Sequence, residues 1–201
     1  MIKILKKHIG QIIDGGLIVF LKKLNSLNIL IFQIPIYVAS IPLIIIYPYM
    51  KRYTSWPQLV LGIIFNWGII IVSIEFYGYL SYHLILLYLG CIFWTLGYDT
   101  IYAYQDREDD IKNNIKSTAV LFGNNGKQFV LLFYIFFLSI IGYVSFDRSN
   151  TTVGIAILFL FSLAILFFLN KWDINSSKSS NKYFKFNNII GIFCFIYLII
   201  F

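Results

Sequence analysis

Five of the chain's nine acidic residues fall between Asp99 and Asp110, in the run Gly97-Tyr-Asp-Thr-Ile-Tyr-Ala-Tyr-Gln-Asp-Arg-Glu-Asp-Asp110. Helical geometry, about 100° per residue, would put Asp99, Tyr102, Asp106 and Asp110 on a single stripe. Asp106 and Asp110 would then stand one turn apart, about 6 Å along the axis, with Asp99 about 10 Å deeper. Asp109 falls off that stripe and Glu108 points nearly opposite. Paired carboxylates at this spacing suit Mg²⁺, which takes one or two carboxylates and completes its octahedron with water and phosphate oxygens. Basic residues complete the set. Tyr47, Lys51 and Arg52 close an apolar run, and Lys116 follows the acids. An anionic ligand bridged to the carboxylates would need such groups on its other oxygens.

Each feature also has a plain structural explanation. Acids beside Arg107, Lys112 and Lys116 can form a solvated, self-neutralising loop, and Lys51 with Arg52 can simply mark a cytoplasmic loop. Asp99 weighs toward function, because an ionisable group at the end of an apolar span is costly and usually faces a cavity.

The elements that must position these residues follow from composition. The 201 residues are 59% hydrophobic, 19% aromatic and only 12% charged, with a mean hydropathy of +0.79. Soluble domains carry about 25% charge and about 45–50% apolar residues. The chain is therefore expected to be an all-α, polytopic helical membrane protein. Disorder is excluded by the apolar content. The net charge of +7 reads as topology and contact with the lipid bilayer; no basic soluble face points to nucleic acid. Crossing roughly 30 Å of hydrocarbon takes about 20 apolar residues. Six segments qualify, near 28–50, 58–75, 83–103, 128–146, 152–170 and 188–201.

Residues 1–26 do not qualify, since Asp14, Gly15 and Gly16 interrupt their short apolar piece. They read as an interfacial segment or remnant rather than a secretory signal. With six crossings, the loops near 51–57, 104–127 and 171–187 share one face and hold ten Lys and Arg residues, against Arg148 alone on the other. The positive-inside rule places the acidic run in the cytoplasm. Lys22 and Lys23 run against this pattern.

The run Asp99–Asp110, followed by Ile115-Lys-Ser-Thr-Ala119 and Leu121-Phe-Gly123, closely resembles the second aspartate-rich motif of the UbiA-type intramembrane prenyltransferases. Tyr47-Pro48, Met50-Lys-Arg52, Trp56-Pro-Gln58 and Phe65-Asn-Trp-Gly68 match stretches preceding that motif, in the branch whose aromatic acceptor is 4-hydroxybenzoate. The resemblance covers about residues 27–201. It implies a nine-helix membrane bundle around a central cavity, of which about six helices are present here. It also implies Mg²⁺ held by two aspartate-rich motifs, and transfer of a polyprenyl group from polyprenyl diphosphate to the ring of 4-hydroxybenzoate in ubiquinone biosynthesis.

By the same resemblance Asp106 and Asp110 match metal-binding positions, Asp109 joins them as an expected metal ligand, and Tyr47 and Lys51 match diphosphate contacts. Asp99, Tyr102, Gln105 and Lys116 match further motif positions, so Asp99, Tyr102, Asp106 and Asp110 form the expected catalytic set. Arg52 joins the diphosphate-binding group. The location implied is a bacterial or mitochondrial inner membrane.

The family's first aspartate-rich motif has no counterpart upstream of Asn28, where Asp14 is the only acid. The chain is therefore expected to be the carboxy-terminal part of such an enzyme, weakly active or inactive unless a separate chain supplies the missing motif. Another aromatic acceptor, or a non-catalytic membrane remnant, are the alternatives. His8, His83, Cys91 and Cys194 lack metal-ligand spacing. Gly123-Asn-Asn-Gly126 is expected to turn the chain, Glu75 to be solvated at the headgroups, and residues 175–181 to form a mobile loop.

Overall fold

A computed structural model describes residues 28–146 and 151–200; the expectations for residues 1–26, including Asp14, Lys22 and Lys23, lie outside them. The described residues form α1 (Asn28–Tyr53), α2 (Pro57–Phe65), α3 (Trp67–Tyr77), α4 (Tyr82–Ala103), α5 (Arg107–Lys112), α6 (Thr118–Phe122), a 3₁₀ turn (Gly123–Asn125), α7 (Gly126–Ser145), α8 (Thr151–Asn170) and α9 (Ser177–Ile200). Six helical stretches are long and apolar enough to cross a membrane: Ile34–Tyr53, Pro57–Tyr77, Tyr82–Ala103, Thr118–Ser145, Thr152–Asn170 and Ser177–Ile200. They match the six expected segments. Helix is the natural solution here, since lipid offers the backbone no hydrogen-bond partner and a helix satisfies its own.

Helix α4 is the hub, packing on α7, α2, α9 and α3. It meets α7 tightly at Gly97. A Cβ there would sit 2.7 Å from Cε2 of Tyr134, so only glycine lets the two helices meet at this distance. Trp94 stacks on Phe137 with centroids 5.4 Å apart. The buried cluster continues through Ile101, Tyr134, Ile165, Trp172 and Ile190.

Helix α1 differs. None of its residues from Ile34 to Tyr53 is buried, and it packs against α2 and α3. Its polar ties are Trp67 Nε1 donating to the Ile36 carbonyl at 3.0 Å and Tyr37 donating to Glu75 at 2.9 Å. Glu75 therefore has a protein partner where headgroup solvation was expected.

Three boundaries depart from expectation. The second span is not one helix but breaks at Asn66 between α2 and α3. The Asn66 side chain donates to the Gly62 carbonyl at 2.8 Å and to Thr95 Oγ1 at 2.9 Å, competing with the backbone ladder. Tyr88 donates to the freed Ile63 carbonyl at 2.8 Å.

The last helix starts at Ser177, so the loop expected through 187 ends earlier and residues 177–181 are helical. The Ser- and Asn-rich stretch is a helix cap: Ser176 Oγ accepts from Ser179 N at 3.2 Å. Asn175 N donates to Asp173 at 3.0 Å, and buried Trp172 donates to Ser180 Oγ at 3.1 Å. At 24 residues this helix spans about 36 Å and overruns the hydrocarbon, which leaves Lys178, Lys182 and Lys185 on its capped end.

The third departure concerns the acidic run. Helix α4 ends at Ala103, and α5 begins only at Arg107. The single stripe expected from Asp99 to Asp110 is interrupted by a turn at Tyr104–Asp106.

Candidate functional site

The turn after α4 is held in place from several sides. Gln105 N donates to the Tyr102 carbonyl at 2.9 Å and Asp110 N to the Asp106 carbonyl at 2.8 Å, so Asp106 opens α5 and Asp110 closes its first turn. Tyr104 drops into the core, edge-on to Trp172, and its hydroxyl donates to the Gly123 carbonyl at 2.5 Å. Burial pushes the Tyr104 pKa up, with the Arg107 guanidinium pulling the other way, and the phenol stays a proton donor. Gly123, at φ +53°, makes the expected turn.

Beyond α5 the chain reverses at Asn114, in the left-handed region at φ 55°, and Ile115 N donates back to the Asp110 carbonyl at 2.8 Å. It then docks on α1 and α2. Lys116 N donates to the Lys51 carbonyl at 2.9 Å, and Lys116 Nζ reaches the Tyr53 carbonyl at 3.3 Å, a cation on the carbonyl end of α1. Thr118 N donates to Gln58 Oε1 at 3.1 Å, and Thr118 shares a 2.7 Å hydroxyl contact with Thr100 of α4. Ser117 caps α6 through Val120 N at 3.3 Å.

Replacing Gln58 by Leu should strand the buried Thr118 amide. We expect a loss of about 1–3 kcal/mol, read as faster limited proteolysis between residues 112 and 118 and a lower melting temperature.

The sequence-predicted residues separate into three groups. Asp99 of α4 lies within electrostatic reach of Tyr47 and Lys51 of α1, and Lys116 meets α1 at the Lys51 and Tyr53 carbonyls. Tyr102 is exposed and packs against Phe184 of α9, centroids 5.0 Å apart. Asp106 and Asp109 are exposed, as is Arg52, while Asp110 is buried. Asp109 pairs with Lys112 at 3.3 Å, a surface contact worth little.

Among the described residues no group of three or more His, Cys, Asp or Glu side chains gathers to hold a metal. The donors present still fit Mg²⁺ in kind: hard carboxylate oxygens on successive turns, with cations alongside for an anionic co-ligand.

Deeper in the bundle, one helical turn below Tyr102, lies a cavity of about 670 Å³ between α2, α4 and α9. Phe65, Trp94, Tyr98 and Phe184 give it aromatic walls, and Asn66, Thr95 and Asn187 give it polar ones. Asn187 is the fastening point. Its amide oxygen accepts from Trp94 Nε1 at 3.1 Å and from Tyr134, and its nitrogen donates to the Tyr183 and Phe184 carbonyls at 3.1 Å. One side chain thus locks α9 to both α4 and α7.

Sequence reasoning did not single out Asn66, Thr95, Tyr98 or Asn187. The available signal was an amide side chain inside an apolar span, which must find partners there. Gln58, Thr100 and Thr118 carry no such signal, because their role depends on three separate segments meeting.

A polytopic all-α membrane protein with an aromatic-walled cavity between its helices is the class that the fold defines. The UbiA prenyltransferase family model matches residues 18–189, and the chain belongs to that family. It is 36% identical over 169 residues to a 4-hydroxybenzoate octaprenyltransferase from Tolumonas auensis, covering 82% of this chain and 57% of that protein. Identity is 36% over 180 residues to the protein of the same name from Francisella tularensis subsp. novicida, covering 88% and 61%. It is 33% over 198 residues to the mitochondrial 4-hydroxybenzoate polyprenyltransferase of Drosophila melanogaster, covering 95% and 50%. The chain thus spans between half and three fifths of the length of these relatives. No solved structure matches it.

Proposed function

We propose that this chain is part of a Mg²⁺-dependent polyprenyltransferase that transfers a polyprenyl group from polyprenyl diphosphate to the ring of 4-hydroxybenzoate, in the ubiquinone pathway. The observation that carries the reading is the docking of the acidic segment onto the carbonyl end of α1, where Lys116 meets the Lys51 and Tyr53 carbonyls and Lys51 lies within electrostatic reach of Asp99. The relatives' names supply the substrates, and the excess of Lys and Arg on the acidic side supports a site facing the cytoplasm or matrix of an inner membrane.

In this reading Asp106 and Asp110 hold the metal, and Asp109 stays with Lys112. Mg²⁺, when bound, would neutralise the diphosphate and make it a better leaving group. The chain's own residues do the rest. Lys51 and Lys116 place positive charge against diphosphate oxygens, with Tyr47 and Arg52 at the same rim. Tyr102 and the aromatic walls face the allylic head with ring faces that favour cationic character, each worth about 0.5–2 kcal/mol. The packed bundle keeps water away from that head.

A second family of carboxylates completes the site in this proposal, carried by a segment outside the described residues or by a separate chain. The unburied length of α1 is where such helices would pack. Co-expression tests this. The purified chain with Mg²⁺, a polyprenyl diphosphate and 4-hydroxybenzoate should give little or no product. Adding the amino-terminal spans of the Tolumonas auensis relative should restore it. No product from either preparation would contradict the transferase assignment, and vigorous turnover by the chain alone would contradict its incompleteness.

A further inference from the structure

Two buried side-chain nitrogens find no hydrogen-bond acceptor among the described residues: Nε of Arg107 and Nε2 of Gln105. The Arg107 guanidinium has a substitute, lying 5.6 Å from the centroid of the Tyr104 ring and over its face. Gln105 has none. A buried donor without an acceptor forfeits its hydration for nothing, so each one in a folded protein calls for an explanation. The position of this one supplies it. Gln105 lies in the turn that follows α4, its amide donating to the Tyr102 carbonyl. That turn leads from Tyr102, which packs against cavity-lining Phe184, straight to Asp106, the next residue.

We propose that Gln105 is a further substrate-binding residue, whose Nε2 donates to a phosphate oxygen of the diphosphate gripped at this mouth. The inference rests on the diphosphate reading above and adds a group that reading does not use. An amide suits the place. It gives a charge-assisted hydrogen bond to an oxyanion, stronger than a neutral one, without adding a charge that would bind Asp99 or Asp106 when the ligand has left.

Thermal unfolding of the detergent-purified chain complemented with the amino-terminal spans of the Tolumonas auensis relative, with and without Mg²⁺ plus inorganic pyrophosphate, tests this on wild type, Gln105→Leu, Gln105→Glu and the double variant Asp106→Asn/Asp110→Asn. Without the probe, Gln105→Leu should melt at or above the wild-type temperature, because an unsatisfied donor has been removed. With the probe, its affinity should fall about tenfold, and Gln105→Glu should fall further by setting a carboxylate against an oxyanion.

A Gln105→Leu chain that melts well below wild type without the probe would show that the amide has a structural partner, overturning the proposal. So would pyrophosphate binding that depends on Asp106 and Asp110 but is untouched in Gln105→Leu, the result expected if the amide holds water only. A wild-type chain without any response to Mg²⁺ and pyrophosphate, or a full response in the double aspartate variant, would overturn the diphosphate reading itself and Gln105 with it.

Discussion

Asp110→Asn and Asp106→Asn, each made in the complemented protein, should lower polyprenyl transfer by at least about 10²–10³-fold, the scale expected when one preorganised electrostatic contact to developing charge is removed. The substitution keeps the side chain's size and takes away only its charge. Asp110 is buried at the centre of the segment, and its backbone carbonyl, not its side chain, holds Ile115. Membrane insertion and melting temperature should therefore stay close to wild type while product formation disappears. Asp109→Asn is the internal comparison. Its carboxylate is exposed and spends itself on Lys112, so its loss should be small. Product assays on the three variants at equal membrane abundance separate these outcomes, and equal losses at Asp106, Asp109 and Asp110 would mean that net charge rather than a defined grip matters.

Gly97→Val should destabilise the fold. Even the first carbon of the new side chain would stand 2.7 Å from the Tyr134 ring. That ring cannot step aside: Tyr134 is fully buried and its hydroxyl is committed to Asn187. Overpacking of this kind costs about 1–3 kcal/mol, and here it also pries at the Trp94–Asn187–Tyr134 junction that forms the cavity wall. Denaturation in detergent should show the loss. Combining it with Tyr134→Ala should restore part of the stability, because the two sites share one volume and are not additive.

The six crossings were legible because span length is set by the bilayer, and a run such as 152–170 can satisfy its backbone in lipid only as a helix. The interruptions were not. Asn66 breaks its helix because Thr95 and Tyr88, from a different span, receive and replace the hydrogen bonds it disturbs; a local reading sees an isolated amide in an apolar run.

The stretch 175–181 has loop composition, yet Ser176 uses that composition to cap a helix. The acidic residues are clustered in sequence, and Asp99 does lie within electrostatic reach of Lys51 and Tyr47. The unbroken stripe was the error. It assumed that α4 continues, whereas Tyr104 turns into the core toward Trp172 and Gly123 and takes the backbone with it. Asp106 and Asp110 therefore stand at the start and in the first turn of α5, a separate element, and the chain that follows it is tied down by Gln58, Thr100 and the carbonyl end of α1.

The most direct measurement is Mn²⁺ electron paramagnetic resonance on the complemented protein, with Mn²⁺ standing in for Mg²⁺ and inorganic pyrophosphate as the anion. The account predicts a bound, broadened Mn²⁺ signal that strengthens when pyrophosphate is added and is lost in Asp106→Asn/Asp110→Asn. A bound signal of wild-type strength in that double variant would contradict it.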